Sequence, residues 1–387
     1  MLRILGNIRG DKVIWAVVIL LSIFSLLAVY SSTGTLAYKY QEGNTEYYML
    51  KHLVILLFGL LIMYFTHLVK FTYFSRIFQI ALYIAVPLLV LTLFVGLDLN
   101  EAKRVLPLPF QLTFQTSDLA KLTLIMYLAR LLSKKQDQIK DFKSAFVPLM
   151  IPVLIVCGLI LPANFSTAAM LFVTSLVLMF IGRVSMKYIF SLLGIGVVSF
   201  VLLMVVANAY PDLIPRATTW KSRIVSFSDK GDIDSEKNYQ VEQAKIAIAS
   251  GGIIGKFPGN STQRNFLPHP YSDFIFAIFL EEYGLIGGAF LVLLYLILFF
   301  RVVRIVTKIP RNFGAFMAAG VGFSLVFQAM INMAVAVNLI PVTGQPLPLV
   351  SMGGTSIWFT SIALGIILSV SKEIDTKPEN IEDYVAA

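Results

Sequence analysis

A single cysteine, Cys157, stands in 387 residues, so no intrachain disulfide can form and no cysteine-based metal cluster can be built. Histidine is nearly as scarce: His52, His67 and His269 are scattered and lack metal-ligand spacing. Charge is the third deficit. Asp, Glu, Lys and Arg make up 14% of the chain, where a soluble domain carries about 25%. Apolar residues take their place, at 57% of the chain with a mean hydropathy of +0.80. That much apolar surface cannot be hidden inside a water-soluble globule of this size. A soluble enzyme, a secreted disulfide scaffold and a disordered chain are therefore excluded. The formal net charge of +9 would suggest nucleic acid in a soluble protein. In a membrane protein it raises the question of which side holds the cations, and no nucleic-acid partner is expected.

A spanning helix needs about 20 mainly apolar residues. Such runs occupy roughly 13–32, 53–69, 77–97, 187–208, 274–300, 313–336 and 352–371. Three shorter or more polar runs, roughly 117–133, 146–162 and 166–183, bring the expected number of spans to ten. The first run is too long for a signal-peptide core and reads as a retained helix. With a cytoplasmic N-terminus, the inner segments hold eighteen Lys and Arg. The short outer loops hold four: Lys39, Lys51, Lys103 and Arg104. That asymmetry predicts two cytoplasmic termini. The expected fold is an all-α polytopic membrane protein with one integral domain over 1–372 and a cytoplasmic tail over 373–387. The one long connection, 209–272 between the seventh and eighth spans, lies outside and is basic, where an anionic headgroup could meet it. Within it, YQVEQAKIAIASGG (239–252) predicts an amphipathic interfacial helix ended by Gly251 and Gly252. The 32–50 segment reads as a solvated linker.

Ionisable residues inside spans are costly and mark candidate sites. Asp118 and Lys121, three apart, share a helical face: they are either a structural ion pair or a wall of a polar substrate cavity. Arg104, in KRVLPLPF, belongs to the same wall or snorkels to the interface. Asp273 precedes the apolar run of the eighth span, where it is either an N-cap or a partly desolvated carboxylate suited to proton abstraction. Glu281 and Glu282 lie deeper and require a cation, a proton or a water-filled cavity. Gln328 and Asn332, four apart, predict interhelical hydrogen bonds. PVTGQPLPLVSMGGTS (341–356) holds three prolines and three glycines and reads as a re-entrant or cavity-lining loop.

Four of these stretches, in order, resemble the SEDS family (shape, elongation, division and sporulation), which includes FtsW, RodA and SpoVE. They are FQTSDLAKL (114–122), YQVEQAKIAIASGGIIGK (239–256), GNSTQRNFLPHPYSDFIFAIFLEEYG (259–284) and PVTGQPLPLVSMGGTS (341–356). The resemblance implies a GT-C-like helical bundle and a peptidoglycan glycosyltransferase that polymerises lipid II outside the cytoplasmic membrane. It implies a class B penicillin-binding protein as partner, among other division proteins and membrane lipids. No cofactor is demanded, although a divalent cation such as Mg or Mn could assist. The family's essential acid falls on Asp273 and its acidic–Lys pair on Asp118 and Lys121. Lys121, Arg104 and Arg223 become candidates for the pyrophosphate, and Tyr239, Gln240, Gln243, Ser261, Glu281 and Ser351 for the remaining substrate contacts. The chain departs from the family pattern at Asp118 (usually Glu), Thr116 (Pro) and Val105 (Trp). The segment Ala163-Asn164-Phe165-Ser166-Thr167 lacks the acid and the glycine of the family's PDLGT, and Tyr271 stands where His is common. The look of the outer loop favours a division role of the FtsW type over elongation of the RodA type. Other readings are a lipid II flippase, a non-enzymatic division scaffold and an O-antigen ligase or polymerase.

Overall fold

Asp11 starts the first helix by accepting from Val13 and Ile14 N–H at 2.9 and 3.2 Å, which satisfies donors that a helix N-terminus otherwise leaves open. This helix, α1 (Lys12–Ser32), opens the computed structural model, which describes residues 9–98, 103–108, 112–209, 220, 223, 227, 236–310 and 312–375. A short α2 (Gly34–Tyr40) and the long α3 (Thr45–Leu68) and α4 (Phe71–Val95) follow. A three-stranded antiparallel sheet of β1 (Leu97–Asp98), β2 (Lys103–Leu108) and β3 (Leu112–Gln115) then leads into α5 (Thr116–Lys134). A π-helical turn at Phe142–Phe146 opens α6 (Val147–Ile160), which α7 (Phe165–Ile181) and α8 (Met186–Ala209) follow. The outer connection contributes α9 (Glu236–Gly251), and the chain ends in α10 (Ile275–Lys308), α11 (Asn312–Ala336) and α12 (Thr355–Asp375).

Eight segments among the described residues are long and apolar enough to cross a membrane: α1, α3, α4, α6 with its π turn, α8, α10, α11 and α12. The other two expected spans exist as helices but have reasons to differ. α7 has only 17 residues. α5 carries Asp118, Lys121, Arg130 and Lys134 over 19 residues, and it can do so because protein surrounds it. Ala120, Leu124, Ile125, Leu128, Ala129 and Leu132 on several of its faces are buried, against α4, α6, α7 and α11. A helix walled by other helices does not need to be lipophilic. α1, α10 and α12 meet at one end of the bundle, where Asp11 N–H donates to Ser371 Oγ at 3.0 Å and Arg301 pairs with Asp11. Both ends of the chain's helical part therefore lie on one side, as the expected topology requires.

Several local expectations change. The 32–50 segment is not a free linker: it contains α2, and Thr35 Oγ1 donates to the Arg264 carbonyl at 3.1 Å. α3 begins eight residues before the expected 53, because Asn44 Oδ1 accepts from Tyr47 N–H and starts a polar first turn outside the apolar run. The sheet was not foreseen. Its β2 tolerates Pro107 because β1 pairs only with Lys103 and Val105, which leaves the outer edge of Pro107 without a ladder partner. The helix in the outer connection is also not amphipathic in the expected sense. Ala244 and Ala247 are buried, while Lys245 and Ile246 beside them are both exposed. Small residues turn inward so that α9 packs closely on α10. A Cβ at Gly251 would stand 2.2 Å from the Leu280 carbonyl oxygen.

α10 is broken at Gly284 (φ 64, ψ −170). The chain from 252 to 256 fills the break: Leu285 and Ile286 N–H donate to the Gly252 and Ile253 carbonyls, and Lys256 N–H to the Glu281 carbonyl. The freed backbone groups of the kink are thereby paired again.

Candidate functional site

Asp273 does not cap α10. The helix starts at Ile275 with Phe274 at the N-cap position, and no side chain caps it. The Asp273 carboxylate is only partly buried, and its one hydrogen bond among the described residues comes from Ser272 Oγ at 2.9 Å. Gly344, at φ +68, lies so close that an added Cβ would sit 3.5 Å from Asp273 Oδ2.

The segment that carries Asp273 rests on the 341–354 loop. Ser351 Oγ donates to the Ser272 carbonyl at 2.7 Å, and Met352 N–H to the Tyr271 carbonyl at 2.9 Å. Asn332 Nδ2, from α11, donates to the Asp273 carbonyl at 2.9 Å and to the Gln345 carbonyl at 2.7 Å. The loop is irregular backbone, buried at 345 and 347–351 and half-buried elsewhere, with 341–343 lining a groove as a cavity-lining loop should, and the helices satisfy its carbonyls. Gln328 donates to Pro346, Tyr295 to Pro348 and Ser25 to Val350. Gln328 and Asn332 thus bond to the loop more than to another helix.

Asp118 and Lys121 form an ion pair at 3.4 Å, and Lys121 Nζ also donates to Gln328 Oε1 at 2.8 Å. Asp118 is 3% exposed. The pair therefore reaches the site indirectly, through Gln328 to the loop and from the loop to the 271–273 segment. A separate cavity lies against it, lined by Ser324, Ser356 and Thr360 among others.

Arg223 joins Asp273 from the outer connection. Its Nη1 donates to the Val342 carbonyl at 3.1 Å. Burial holds the guanidinium below its ordinary pKa, and the neighbouring Asp273 carboxylate opposes that shift. Burial likewise pushes the Tyr271 phenol up, with Tyr40, Tyr48 and Asp273 adding to it. Arg223 and Trp220 line a largely apolar groove of about 290 Å³ between α7, α8 and α11, with Phe165, Phe200, Phe327 and Ile331 on its walls. A cation at the mouth of an apolar trough can hold a charged headgroup while a hydrocarbon chain lies in lipid.

The other candidates fall elsewhere. Arg104, on β2, donates from Nε to the Ala163 carbonyl at 3.0 Å and lines a cleft with Lys103 and Asn164. Asn164 caps α7 through Thr167 N–H at 3.2 Å, which explains an amide at this position without any catalytic demand. On α9, Tyr239 is 39% exposed and Gln240 and Gln243 are half-buried. Arg216, Lys221 and Lys230 of the outer connection lie outside the described residues.

Three expected substrate contacts need correction. Glu281 is 0% exposed and saturated: it accepts from Lys256 Nζ (2.7 Å), Ser261 Oγ (2.5 Å), the N–H and Oγ1 of Thr262 (3.1 and 2.9 Å) and Gln263 N–H (3.2 Å). Ser261, its donor, is buried too and accepts from Arg264 N–H at 3.2 Å. These two lock the outer connection onto α10 and have no capacity left for a ligand. Ser351 is 1% exposed, accepts from Leu347 N–H at 2.8 Å and donates to Ser272, so it positions Asp273 from beneath. Glu282 is buried beside Glu281 and receives the Ser31 hydroxyl. Tyr271 and Ser272 flank the carboxylate in the chain, whereas Gly344 is not singled out by the sequence; its positive φ and the fold reveal it as a neighbour.

Among the described residues no group of three or more His, Cys, Asp or Glu side chains could hold a metal ion. A divalent cation at this site would rest on Asp273 together with oxygens of a phosphorylated substrate, which is how Mg²⁺ is often held.

Comparison with known proteins agrees with this architecture. The chain is 31% identical over 375 residues to the "Probable peptidoglycan glycosyltransferase FtsW" of Trichlorobacter lovleyi, covering 95% of this chain and 94% of that one. It is 32% identical over 366 residues to the "Stage V sporulation protein E" of Bacillus subtilis, covering 94% and 97%. In fold it is similar to the rod shape determining protein RodA of Thermus thermophilus, with a TM-score of 0.68 and 22% identity over 94% of this chain and 97% of that one. It is also similar to a chain of a peptidoglycan synthase complex that coordinates polymerization and crosslinking, with a TM-score of 0.70 and 24% identity over 95% and 99%. The family model FtsW/RodA/SpoVE, described as cell cycle protein, matches residues 11–376, and the chain belongs to that family.

Proposed function

We propose that this protein polymerises lipid II into β-1,4-linked glycan strands at the outer face of the cytoplasmic membrane, with Asp273 as the base. The observation that carries the proposal is a partly exposed carboxylate, left uncapped at the head of α10, beside Arg223 and the apolar groove. Asp273 takes the proton of the acceptor sugar's 4-hydroxyl as that oxygen attacks the donor's anomeric carbon. The bond from that carbon to the pyrophosphate breaks, and the configuration inverts from α to β. Undecaprenyl pyrophosphate leaves with its charge stabilised by Arg223, and the groove holds a polyprenyl chain. Asp118, Lys121 and Gln328 act through the loop to hold the Asp273 segment. Tyr239, Gln240, Gln243 and Arg104 remain candidates for the sugar, peptide and phosphate groups.

A transporter would keep its charged residues available along a transit path. Here Glu281 is saturated and Lys121 is occupied by Asp118 and Gln328, which favours polymerisation. Asp273→Asn in proteoliposomes supplied with lipid II is expected to lower polymer formation by at least about 10²-fold, the size of a general-base contribution. Wild-type polymer formation by that variant overturns the base assignment. Movement of labelled lipid II without polymer overturns the polymerase reading.

Within the family we assign a septal role in division, in partnership with a class B penicillin-binding protein that crosslinks the strands. Support comes from the outer-loop sequence and from FtsW-named relatives; the similarity to a chain of a synthase complex supports the partnership. Depletion in the source bacterium is expected to give filaments; rounded cells refute this role.

A further inference from the structure

At the opposite end of the bundle from Asp273, a cavity of about 330 Å³ opens between the start of α1 and the ends of α10 and α12. Four cations line it: Lys12, Arg301, Arg304 and Lys308. The one carboxylate in its lining, Asp11, is already consumed. Its Oδ1 caps α1, and its Oδ2 takes Arg301 Nε at 2.7 Å and Nη2 at 2.5 Å. Lys12, Arg304 and Lys308 are exposed, and none has a carboxylate partner among the described residues. Arg304 and Lys308 stand four apart on one face of α10, so their charges repel unless an anion joins them. Apolar side chains frame the same opening: Val13, Ile305 and Ile374 line it. Phe300 and Val303 nearby on α10 are exposed at 64% and 43%. Cations above an apolar frame, at the end that the basic loops assign to the cytoplasm, match the headgroup level of the inner leaflet.

We infer that this cavity binds the phosphate of an anionic phospholipid of the inner leaflet, with Arg304, Lys308 and Lys12 on the phosphate and the acyl chains along Val13 and Ile374. The bound lipid ties the ends of α1, α10 and α12 together, in addition to the Asp11–Ser371 hydrogen bond and the Asp11–Arg301 pair. The site neither uses nor requires the catalytic assignment of Asp273.

The test uses the purified full chain in nanodiscs of phosphatidylcholine, with or without phosphatidylglycerol, read by native mass spectrometry for retained lipid and by Tm. Phosphatidylglycerol is expected to remain bound and to raise Tm, whereas added inorganic phosphate does neither. The double variant Arg304→Gln/Lys308→Gln is expected to weaken retention by about 10- to 30-fold, the effect of removing two surface cations from an anionic headgroup. Lys134→Gln/Lys135→Gln, at the same end but outside the cavity, is expected to retain the lipid as wild type does. Equal loss in both double variants, undiminished retention by the cavity variant, or stabilisation by inorganic phosphate alone each overturns the proposal.

Discussion

Replacing Ser351 by Ala separates a positioning role from a substrate contact. The hydroxyl accepts from Leu347 N–H and donates to the Ser272 carbonyl, at 2.8 and 2.7 Å, in a site only 1% exposed. Alanine fills nearly the same volume, so packing survives while two polar groups lose their partner. Each buried group left unpaired costs about 1–3 kcal/mol, which puts the loss in stability on the order of 2–6 kcal/mol. The segment does not detach, because Met352 N–H still holds the Tyr271 carbonyl and Asn332 still holds the Asp273 carbonyl. It slackens instead. A base displaced by a fraction of an ångström loses alignment with the attacking hydroxyl, and kcat is expected to fall about 10- to 100-fold. KM should change by less than about twofold, since no substrate contact is removed. Steady-state polymerisation of lipid II by reconstituted protein measures both parameters. Ser351→Thr keeps the hydroxyl and should recover part of kcat. A raised KM with unchanged kcat would place Ser351 in contact with substrate and refute the reasoning, as would an unchanged pair of parameters.

Glu281→Gln leaves the Lys256 ammonium beside a neutral partner in the latch between the outer connection and α10, and should lower stability by about 3 kcal/mol in a thermal-melt assay. Adding Lys256→Met should return part of that loss; an unchanged melt in the single variant refutes the latch. Gly284→Ala forces a side chain into a backbone conformation that favours glycine, 2.3 Å from the Ile253 carbonyl oxygen, and should abolish a monodisperse peak in size-exclusion chromatography. Gly194→Ala, whose added Cβ meets nothing within 4 Å, is the control expected to elute as wild type.

Eight of the ten expected spans were legible because a bilayer imposes a length and a composition on any helix that crosses it, whereas α5 and α7 are helices that do not meet that length and composition. The 341–354 loop was legible for a related reason: Pro341, Pro346, Pro348, Gly344 and Gly353 prevent a helix, and irregular backbone at that depth must be buried in protein. Asp273 stood out as a carboxylate at the head of an apolar run. Spacing could not say whether it capped the helix, because capping depends on where the backbone turns, one residue on each side. The fold put the first turn at Ile275 and left the carboxylate open.

Glu281 shows the opposite limit. A buried acid reads as functional until its donors are known, and those donors arrive from Lys256, Ser261, Thr262 and Gln263 of the outer connection. Likewise, Lys121 finds Gln328 across 207 positions of chain, and Asp11 finds Arg301 across 290. Hydropathy is a property of consecutive residues, so the sequence alone determined a multi-pass helical protein with its candidate acid at a helix head. Whether each polar side chain is spent on the fold or left for a ligand depends on partners far away in sequence, and only the packed bundle decided that.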